Sequence, residues 1–289
     1  MIDAGIENAP LCLPPLPMQR APLAQLPAGT VDTHFHVFGA GAPLASPRSY
    51  TPQVATLADW VRLADKSGVA RGVIVQPSVY GFDNSVLLEA IAGAAGRLRG
   101  ISVVPPQSRP DELESLHALG IRGVRCNTQN LGGMGFEAAL DLAARIAPFD
   151  WTLQFLVRWE QLETLVELAP RLAVRIVIDH LGFIDPGRGP AALRPLRALL
   201  DAGRTYVKLS APYRLSSAAG YADYVALAAE LVRTHPERLL WGSDWPHPGL
   251  WAAMPDDAEL VDMGLALAGD AATARTIFAD TPNALFFAD

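Results

Sequence analysis

Two histidines placed two residues apart form the first candidate catalytic group of the chain. His34 and His36 lie in segment 31–38, where apolar and polar residues alternate as in a β-strand. Side chains on a strand alternate between its two faces, so Asp32, His34 and His36 are predicted to share one face. Two neighbouring imidazoles can bind a metal or polarise a substrate carbonyl. The pair therefore marks a candidate catalytic position.

His180 and Asp244 follow two later strand candidates and would complete this group. Three imidazoles and one carboxylate can hold a divalent metal and leave a position for water. Without metal, the imidazoles would polarise a carbonyl while Asp244 takes a proton from water. Both routes lead to attack on an ester-like or amide-like carbonyl.

Eight strand patterns alternate with eight helical patterns from residue 30 onward. The strand candidates are 30–38, 71–78, 98–105, 121–127, 151–157, 175–182, 205–212 and 238–245. The helix candidates are 56–67, 84–95, 110–119, 136–147, 159–169, 190–202, 220–234 and 256–268. Eight such units predict a (β/α)8 TIM barrel of the α/β class, and no glycine-rich dinucleotide motif follows the first strand to favour an open sheet. In this fold the chemistry lies at the carboxyl ends of the strands, where His34, His36, His180 and Asp244 all fall.

The first 28 residues have a different composition. They contain six prolines between Pro10 and Pro27, which exclude a regular helix or a central strand. We predict that segment 1–28 forms an extended arm over the surface, and that 29–289 forms the barrel domain.

The overall composition excludes several classes of partner. The 289 residues are 50% hydrophobic and 18% charged, with a net charge of -7, so no nucleic acid or anionic membrane is expected as a partner. No apolar run reaches the ~20 residues of a membrane span, and the N-terminus lacks the pattern of a signal peptide. With only two cysteines, Cys12 and Cys126, a cytoplasmic enzyme is the simplest expectation. The sequence assigns no oligomeric state.

Four motifs resemble the amidohydrolase superfamily. They are Asp-Thr-His-Phe-His-Val-Phe-Gly at 32–39, Val-Ile-Asp-His-Leu-Gly at 177–182, Trp-Gly-Ser-Asp-Trp-Pro-His-Pro at 241–248 and Thr-Pro-Asn-Ala-Leu-Phe at 281–286. The chain looks most like the branch of lactonases related to 2-pyrone-4,6-dicarboxylate lactonase. This resemblance implies a (β/α)8 barrel that hydrolyses a C–O or C–N bond, and it maps the family's catalytic residues onto His34, His36, His180 and Asp244.

The ligand set is reduced compared with the metal-rich members of that superfamily. Strand five offers Gln154 in place of a histidine, and strand four has no lysine suited to carboxylation. The resemblance to pyrone-type lactonases, which work without metal, therefore predicts no cofactor. The alternative is one Zn²⁺ bound by His34, His36, His180 and Asp244.

A second group of residues could bind an anionic substrate. Arg125 and Arg214 can each form a bidentate bridge to a carboxylate, and Tyr50 and Ser78 can add hydroxyl donors. The resemblance implies a small anionic lactone as the partner of these groups. Its dicarboxylate-binding members carry a further arginine shortly after the one matching Arg125, whereas loop 127–134 has no basic residue here. We therefore expect a related lactone with a different acidic or polar substituent.

The resulting hypothesis is a hydrolase that opens a carboxylated lactone, namely a pyrone, a muconolactone or a sugar-acid lactone. The alternatives are a zinc-dependent decarboxylase of the same superfamily, another metal-dependent amidohydrolase, or a non-catalytic binding protein. Two residues within the motifs are expected to have only structural roles. Asp179 is expected to point towards the helical layer, and His247 is expected to belong to a rigid turn.

Overall fold

Eight parallel strands form the centre of the protein. The computed structural model describes residues 9–288. The strands are β1 (Val31–Phe35), β2 (Arg71–Val75), β3 (Leu98–Ser102), β4 (Ile121–Asn127), β5 (Thr152–Leu156), β6 (Arg175–Ile178), β7 (Thr205–Leu209) and β8 (Leu239–Trp241). They pair in sequence order, and a bridge between Phe35 and Trp245 joins the two ends of the sheet. The predicted TIM-barrel fold is confirmed.

Helices follow the strands on the outside of the barrel. They are α1 (Leu57–Ser67), α2 (Ser85–Gly93), α3 (Pro110–Ala118), α4 (Ala139–Ile146), α5 (Leu162–Leu168), α6 (Arg194–Asp201), α7 (Ala222–Thr234), α8 (Asp257–Ala268), α9 (Ala271–Arg275) and α10 (Thr281–Phe286). The last two were not predicted as helices. None of the helices in the described part of the chain has the length and hydrophobicity needed to cross a bilayer.

Local signals in the sequence explain where α1 begins and ends. Thr56 and Asp59 form a capping box, in which each side chain meets the backbone N–H of the other residue. Gly68 ends the helix with a positive φ of 84°, a conformation that glycine adopts without a steric cost. Trp60 and Leu63 then face the barrel and are buried.

The barrel interior is filled at the end opposite to the histidines. Its apolar side chains form one cluster, made up of Val31, Val73, Val75, Ile101, Val177 and Leu240. Leu285 and Phe286 of α10 pack against this cluster. The helix built from the 281–286 motif therefore covers the amino-terminal end of the barrel, while the carboxyl ends of the strands are left for the polar residues.

A bulge in β1 corrects one prediction about the first motif. The pairing of β1 with β2 shifts between Asp32 and Phe35, so strict alternation does not hold there. The carboxylate of Asp32 accepts hydrogen bonds from Trp60 Nε1 at 3.1 Å and from Ser243 Oγ at 2.7 Å. Asp32 thus contacts the helical layer and ties β1 to the end of β8, instead of sharing a face with His34.

Gly72 lies where β2 meets α1 with no room for a larger side chain. A Cβ at this position would be 2.6 Å from Trp60 Cζ2 and 2.7 Å from Phe35 Cε1. We expect Gly72→Ala to lower the free energy of unfolding by about 1–3 kcal/mol through overpacking. Urea unfolding measures the change, with Gly93→Ala at the exposed end of α2 as the control. Equal stabilities of the two variants would contradict this packing argument.

Residues 9–30 contain no helix and no strand, apart from a single bridge between Leu11 and Thr51. Lys66 Nζ of α1 donates to the carbonyls of Met18 and Gln19 at 2.7 and 3.0 Å. Leu23 N donates to the Asp262 carboxylate of α8 at 2.6 Å. The first eight residues of the predicted arm lie outside the described residues.

Candidate active site

Four buried side chains converge at the carboxyl end of the barrel. Asp244 Oδ1 lies 3.6 Å from His34 Nε2, 3.6 Å from His36 Nε2 and 3.7 Å from His180 Nε2. The two Nε2 atoms of His34 and His36 are 3.3 Å apart. The structure therefore brings together all four predicted catalytic residues, from the ends of β1, β6 and β8.

Backbone geometry aims these side chains at one another. His180 and Asp244 both have positive φ angles, 50° and 61°, in the turns that follow their strands. Non-glycine residues adopt such angles at a cost, and they concentrate at functional sites. Asp244 N donates to His34 O at 2.8 Å, and His36 N donates to Trp245 O at 2.8 Å. These two hydrogen bonds fix the aspartate beside the histidine pair.

The two oxygens of Asp244 have different surroundings. Oδ2 accepts hydrogen bonds from Tyr213 Oη at 2.6 Å and Arg214 Nε at 2.9 Å, and Arg214 Nη2 lies 2.9 Å from Asp244. Oδ1 has no hydrogen-bond partner among residues 9–288. Burial opposes ionisation of this carboxyl, but the neighbouring Arg214 and His180 hold its pKa well below the usual range. Asp244 is therefore a carboxylate whose Oδ1 is free to accept a proton.

Burial keeps the imidazoles neutral at physiological pH. It lowers the pKa of His34 and His36, and it lowers the pKa of His180 to about 4. His36 Nδ1 lies 2.7 Å from the carbonyl oxygen of Val75, which can only accept a hydrogen bond. The neutral His36 ring must therefore carry its proton on Nδ1 and present a lone pair at Nε2.

Comparison with known proteins places the chain in a family. Residues 31–288 match the model of the Amidohydro_2 family, described as amidohydrolase. The chain belongs to the amidohydrolase family.

Two curated relatives of the amidohydrolase carry lactone-hydrolase names. It is 36% identical over 297 residues to a 4-sulfomuconolactone hydrolase of Rhizobium radiobacter, with 99% of each chain covered. It is 34% identical over 282 residues to a 2-pyrone-4,6-dicarboxylate hydrolase of Comamonas testosteroni, with 92% of each chain covered. The predicted resemblance to the pyrone-type lactonases is thereby confirmed, and the protein is an enzyme of a family whose relatives act on lactones.

A solved structure agrees with the fold and the family. The probable 2-pyrone-4,6-dicarboxylic acid hydrolase of Acinetobacter baumannii, determined with citric acid bound, superimposes with a TM-score of 0.80 at 27% identity. The match covers 90% of the amidohydrolase and 100% of that chain.

The prediction that Asp179 points towards the helical layer is wrong. Its carboxylate lies inside the barrel, 2.9 Å from Arg125 Nη2, 3.1 Å from Gln154 Nε2 and 3.1 Å from His34 Nδ1. Val177 faces the barrel interior, so alternation directs Asp179 inward as well. The turn at His180, with its positive φ, then brings that ring back into the site. Alternation had been counted from the wrong residue.

Lys208 is a site residue to which the sequence had assigned no role. It is fully buried on β7, with Nζ 2.9 Å from Gln154 Oε1 and 3.4 Å from Asp179 Oδ1. Burial lowers the pKa of Lys208 to about 8, against the opposing effect of Asp179. A lone lysine within an apolar strand was the available signal, because such a residue requires a buried partner.

The inner nitrogen of His34 lies between an acceptor and a donor. Nδ1 is 3.1 Å from Asp179 Oδ1 and 3.2 Å from Lys208 Nζ. When Nδ1 carries the proton, it donates a hydrogen bond to Asp179, and Nε2 keeps a lone pair. A hydrogen bond from the lysine to Nδ1 instead leaves the proton on Nε2. The buried pair therefore supports either tautomer of His34.

Three of the four converging side chains form a group suited to a single divalent metal. His34, His180 and Asp244 each offer one ligand atom, and these atoms lie within 4.8 Å of one another. Imidazole nitrogens and a carboxylate are the ligands that zinc prefers, and its histidine ligands usually donate their second N–H to a carboxylate or a backbone carbonyl. His36 and Val75 show this second arrangement. The donor set therefore fits the metal-bound alternative, and it leaves open the metal-free one.

The predicted substrate-binding residues line the cavity above these groups. Its wall includes Tyr50, Ser78, Arg125 and Arg214, together with His36, His180 and Asp244. Arg125 is paired with Asp179 through Nε and Nη2, and Arg214 with Asp244 through the same two atoms. Among residues 9–288, Arg125 Nη1 makes only a long 3.5 Å hydrogen bond to Gln76 O, and Arg214 Nη1 makes none. The two arginines therefore have one nitrogen each to offer to a ligand.

A second series of buried side-chain contacts lies behind Asp244. Tyr213 Oη is 2.9 Å from His247 Nδ1, and His247 Nε2 is 3.2 Å from Asp257 Oδ1. His247 also belongs to a turn, with a φ of 61° and its N–H donated to Asp244 O at 2.7 Å. Tyr213 therefore connects Asp244 Oδ2 to a histidine that is both part of the turn and buried against a carboxylate.

Removing the Tyr213 hydroxyl tests how much Asp244 depends on this contact. Hydrogen bonds to charged groups contribute about 1.5–3 kcal/mol, so Tyr213→Phe is expected to lower kcat by about ten- to a hundredfold. The measurement is steady-state kinetics on the best lactone substrate, with Tyr221→Phe as the control. A kcat within twofold of the wild-type value would show that Arg214 alone is sufficient to hold Asp244.

Proposed function

We propose that the amidohydrolase hydrolyses a small anionic lactone, using Asp244 to activate water. The observation that carries this proposal is the free Oδ1 of a buried, ionised aspartate facing three imidazoles inside a cavity that contains two arginines. A carboxylate held in this way has one oxygen fixed by donors and one available as a general base.

The reaction begins with a water molecule hydrogen-bonded to Asp244 Oδ1. His36, with its lone pair at Nε2, accepts the second hydrogen bond from this water and orients it. As Asp244 takes the proton, the water oxygen attacks the lactone carbonyl, and a tetrahedral oxyanion forms. The bond to the ring oxygen then breaks, and Asp244 returns its proton to that leaving oxygen.

The other two imidazoles, those of His34 and His180, stabilise the oxyanion. His34 presents Nε2–H when Lys208 donates to its Nδ1, and His180 presents Nε2–H when Ser210 Oγ, 2.8 Å from Nδ1, donates to the ring. Donors placed in advance in this way are each worth several kcal/mol in comparable acyl transfers. The roles of the histidines therefore differ: His36 orients water, while His34 and His180 polarise the carbonyl.

The anionic substituent of the substrate is bound by the Nη1 atoms of Arg125 and Arg214. Tyr50 and Ser78 contribute hydroxyl groups to the same wall. The relatives named for a pyrone dicarboxylate and a sulfomuconolactone both act on lactones that carry an acidic group, which supports this class. The loop after β4 contributes Gln129 and Asn130 to the cavity, so the far end of the substrate meets uncharged amides.

A divalent metal, if bound, would be held by His34, His36, His180 and Asp244. It would act as a Lewis acid on the carbonyl and lower the pKa of a bound water. The convergence of these donors favours a metal-dependent member of the superfamily, including a decarboxylase, as the second candidate.

A panel of lactones assayed with defined metal content separates these functions. The purified enzyme is divided into a chelator-treated sample and samples reloaded with Zn²⁺ or Mn²⁺, and metal content is measured in each. Ring opening of pyrone carboxylates, muconolactones and sugar-acid lactones is followed by absorbance and by proton release. Hydrolysis by the metal-depleted enzyme is expected. Activity only after reloading would favour the metal-dependent route, and no hydrolysis under any condition would overturn the lactonase proposal.

A further inference from the structure

A short N-terminal segment joins two loops that both contribute to the cavity wall. We propose that residues 9–13, called the brace below, are a positioning segment that determines how tightly the cavity binds its ligand. This inference goes beyond the proposed chemistry. The hydrogen bonds of the brace, described below, reach residues of two loops and none of the four converging side chains.

The brace is paired on one side with the loop after β1. Thr51 N donates to Pro10 O at 2.8 Å, and Cys12 N donates to Thr51 O at 2.8 Å. The hydroxyl of Thr51 donates to Ala9 O at 2.7 Å, and Gln53 Nε2 donates to Cys12 O at 3.2 Å. Four hydrogen bonds therefore hold this loop to the brace.

The other side of the brace is attached to the loop after β8. Leu13 N donates to Leu250 O at 2.9 Å, and Gly249 N donates to the thiol of Cys12 at 3.1 Å. The side chain of Cys12 is buried between the two loops, with 4% of its surface exposed. Cys12 thus contacts both loops at once, through its backbone and through its sulfur.

Both loops supply residues to the cavity wall. Tyr50 directly precedes Thr51, and Gly249 and Trp251 flank Leu250. Arg214, which binds Asp244, also donates from Nη2 to Pro248 O at 2.7 Å in the second loop. The distance between the Tyr50 wall and the Gly249 wall is consequently set through the brace. Loosening it should weaken binding while Asp244 and the histidines stay in place.

The first experiment compares two proline variants. One removes a hydrogen bond of the brace, and the other, its control, lies outside the brace. Leu13→Pro deletes the N–H that donates to Leu250 O. Leu16→Pro introduces a proline at an exposed position three residues further along the chain, outside the brace. For Leu13→Pro we expect KM to rise by about five- to tenfold with kcat within twofold, and for Leu16→Pro we expect no change. A fall in kcat without a change in KM, or equal effects of both variants, would overturn the proposal.

The second experiment needs no substrate and so remains informative if the lactonase proposal fails. The chain has two cysteines, and Cys126 is fully buried within the barrel wall. Labelling by a thiol-specific aromatic disulfide therefore reports on Cys12, which is hydrogen-bonded to both loops. We expect slow labelling in the wild type and in Leu16→Pro, and labelling at least about tenfold faster in Leu13→Pro. Equal rates in all three would overturn the proposal.

A milder variant guards against a folding defect. Cys12→Ala removes the sulfur that accepts from Gly249 N while keeping every backbone hydrogen bond of the brace. It should raise KM by about two- to fivefold at unchanged kcat. A thermal melt identical to that of the wild type, together with an unchanged KM, would contradict the role assigned to Cys12.

Discussion

Replacing Asp244 with asparagine is expected to lower kcat by about three orders of magnitude or more. An amide at this position cannot take a proton from water, and general-base catalysis contributes about 10²–10⁴-fold. Among the described residues, Oδ1 has no hydrogen-bond donor, whereas Oδ2 accepts from Tyr213 and Arg214. Oδ2 therefore cannot replace Oδ1 as the general base. The measurement is single-turnover hydrolysis of the best lactone substrate.

The control for this variant is Asp65→Asn, at a largely exposed carboxylate paired with Arg97. It should leave kcat unchanged. Circular dichroism and ligand binding are expected to show that Asp244→Asn is folded and retains the cavity, because Arg214 keeps its hydrogen bond to Pro248 O. A folded Asp244→Asn enzyme with a rate near that of the wild type would refute the mechanism.

Asp179→Asn is expected to cause the largest loss of stability among single polar substitutions at the site. Its carboxylate lies beside Arg125 and Lys208, both buried, and removing it leaves two positive charges without their anion. Breaking a buried ion pair from one side costs about 3–5 kcal/mol. Burial alone would raise the pKa of Asp179, but His34, Lys208 and Arg125 hold it well below its usual range, which agrees with a strongly stabilised carboxylate.

Urea unfolding of three variants tests this expectation. Asp201→Asn, at an exposed carboxylate paired with His235, should change the free energy of unfolding by no more than about 0.5 kcal/mol. The double variant Asp179→Asn/Lys208→Met should recover part of the lost stability, since one unpaired cation is removed and contacting residues are not additive. Equal loss in the single and double variants would mean that the charge of Lys208 is not what Asp179 balances.

Sequence reasoning located the converging groups because they follow strands whose order a barrel fixes. His34, His36, His180 and Asp244 are distant in the chain, but eight parallel strands bring their carboxyl ends to one rim. The same reasoning misdirected Asp179, because alternation was counted back from His180, where the positive φ breaks it, and not forward from Val177, from which it directs Asp179 inward. Backbone conformations of this kind are set by tertiary contacts and leave only a weak local signal.

The buried charges beneath the site were harder to foresee for another reason. Lys208, Gln154 and Asp179 lie on three different strands, and only the closed barrel shows that they meet. The helix limits were also shifted, since α4, α5 and α6 begin three or four residues after the predicted starts, behind short 3₁₀ turns. The 281–286 motif was noticed for its resemblance, although its physical role is to close the far end of the barrel.

The position of His34 between Lys208 and Asp179 bears on how such enzymes diversify. A ring that can present either a lone pair or a hydrogen to the cavity serves either as a ligand or as a donor. The choice is made in a layer that never touches substrate, by the relative influence of one amine and one carboxylate. A lineage could therefore exchange metal-bound and metal-free hydrolysis by altering β7, while every residue that faces the substrate stays the same.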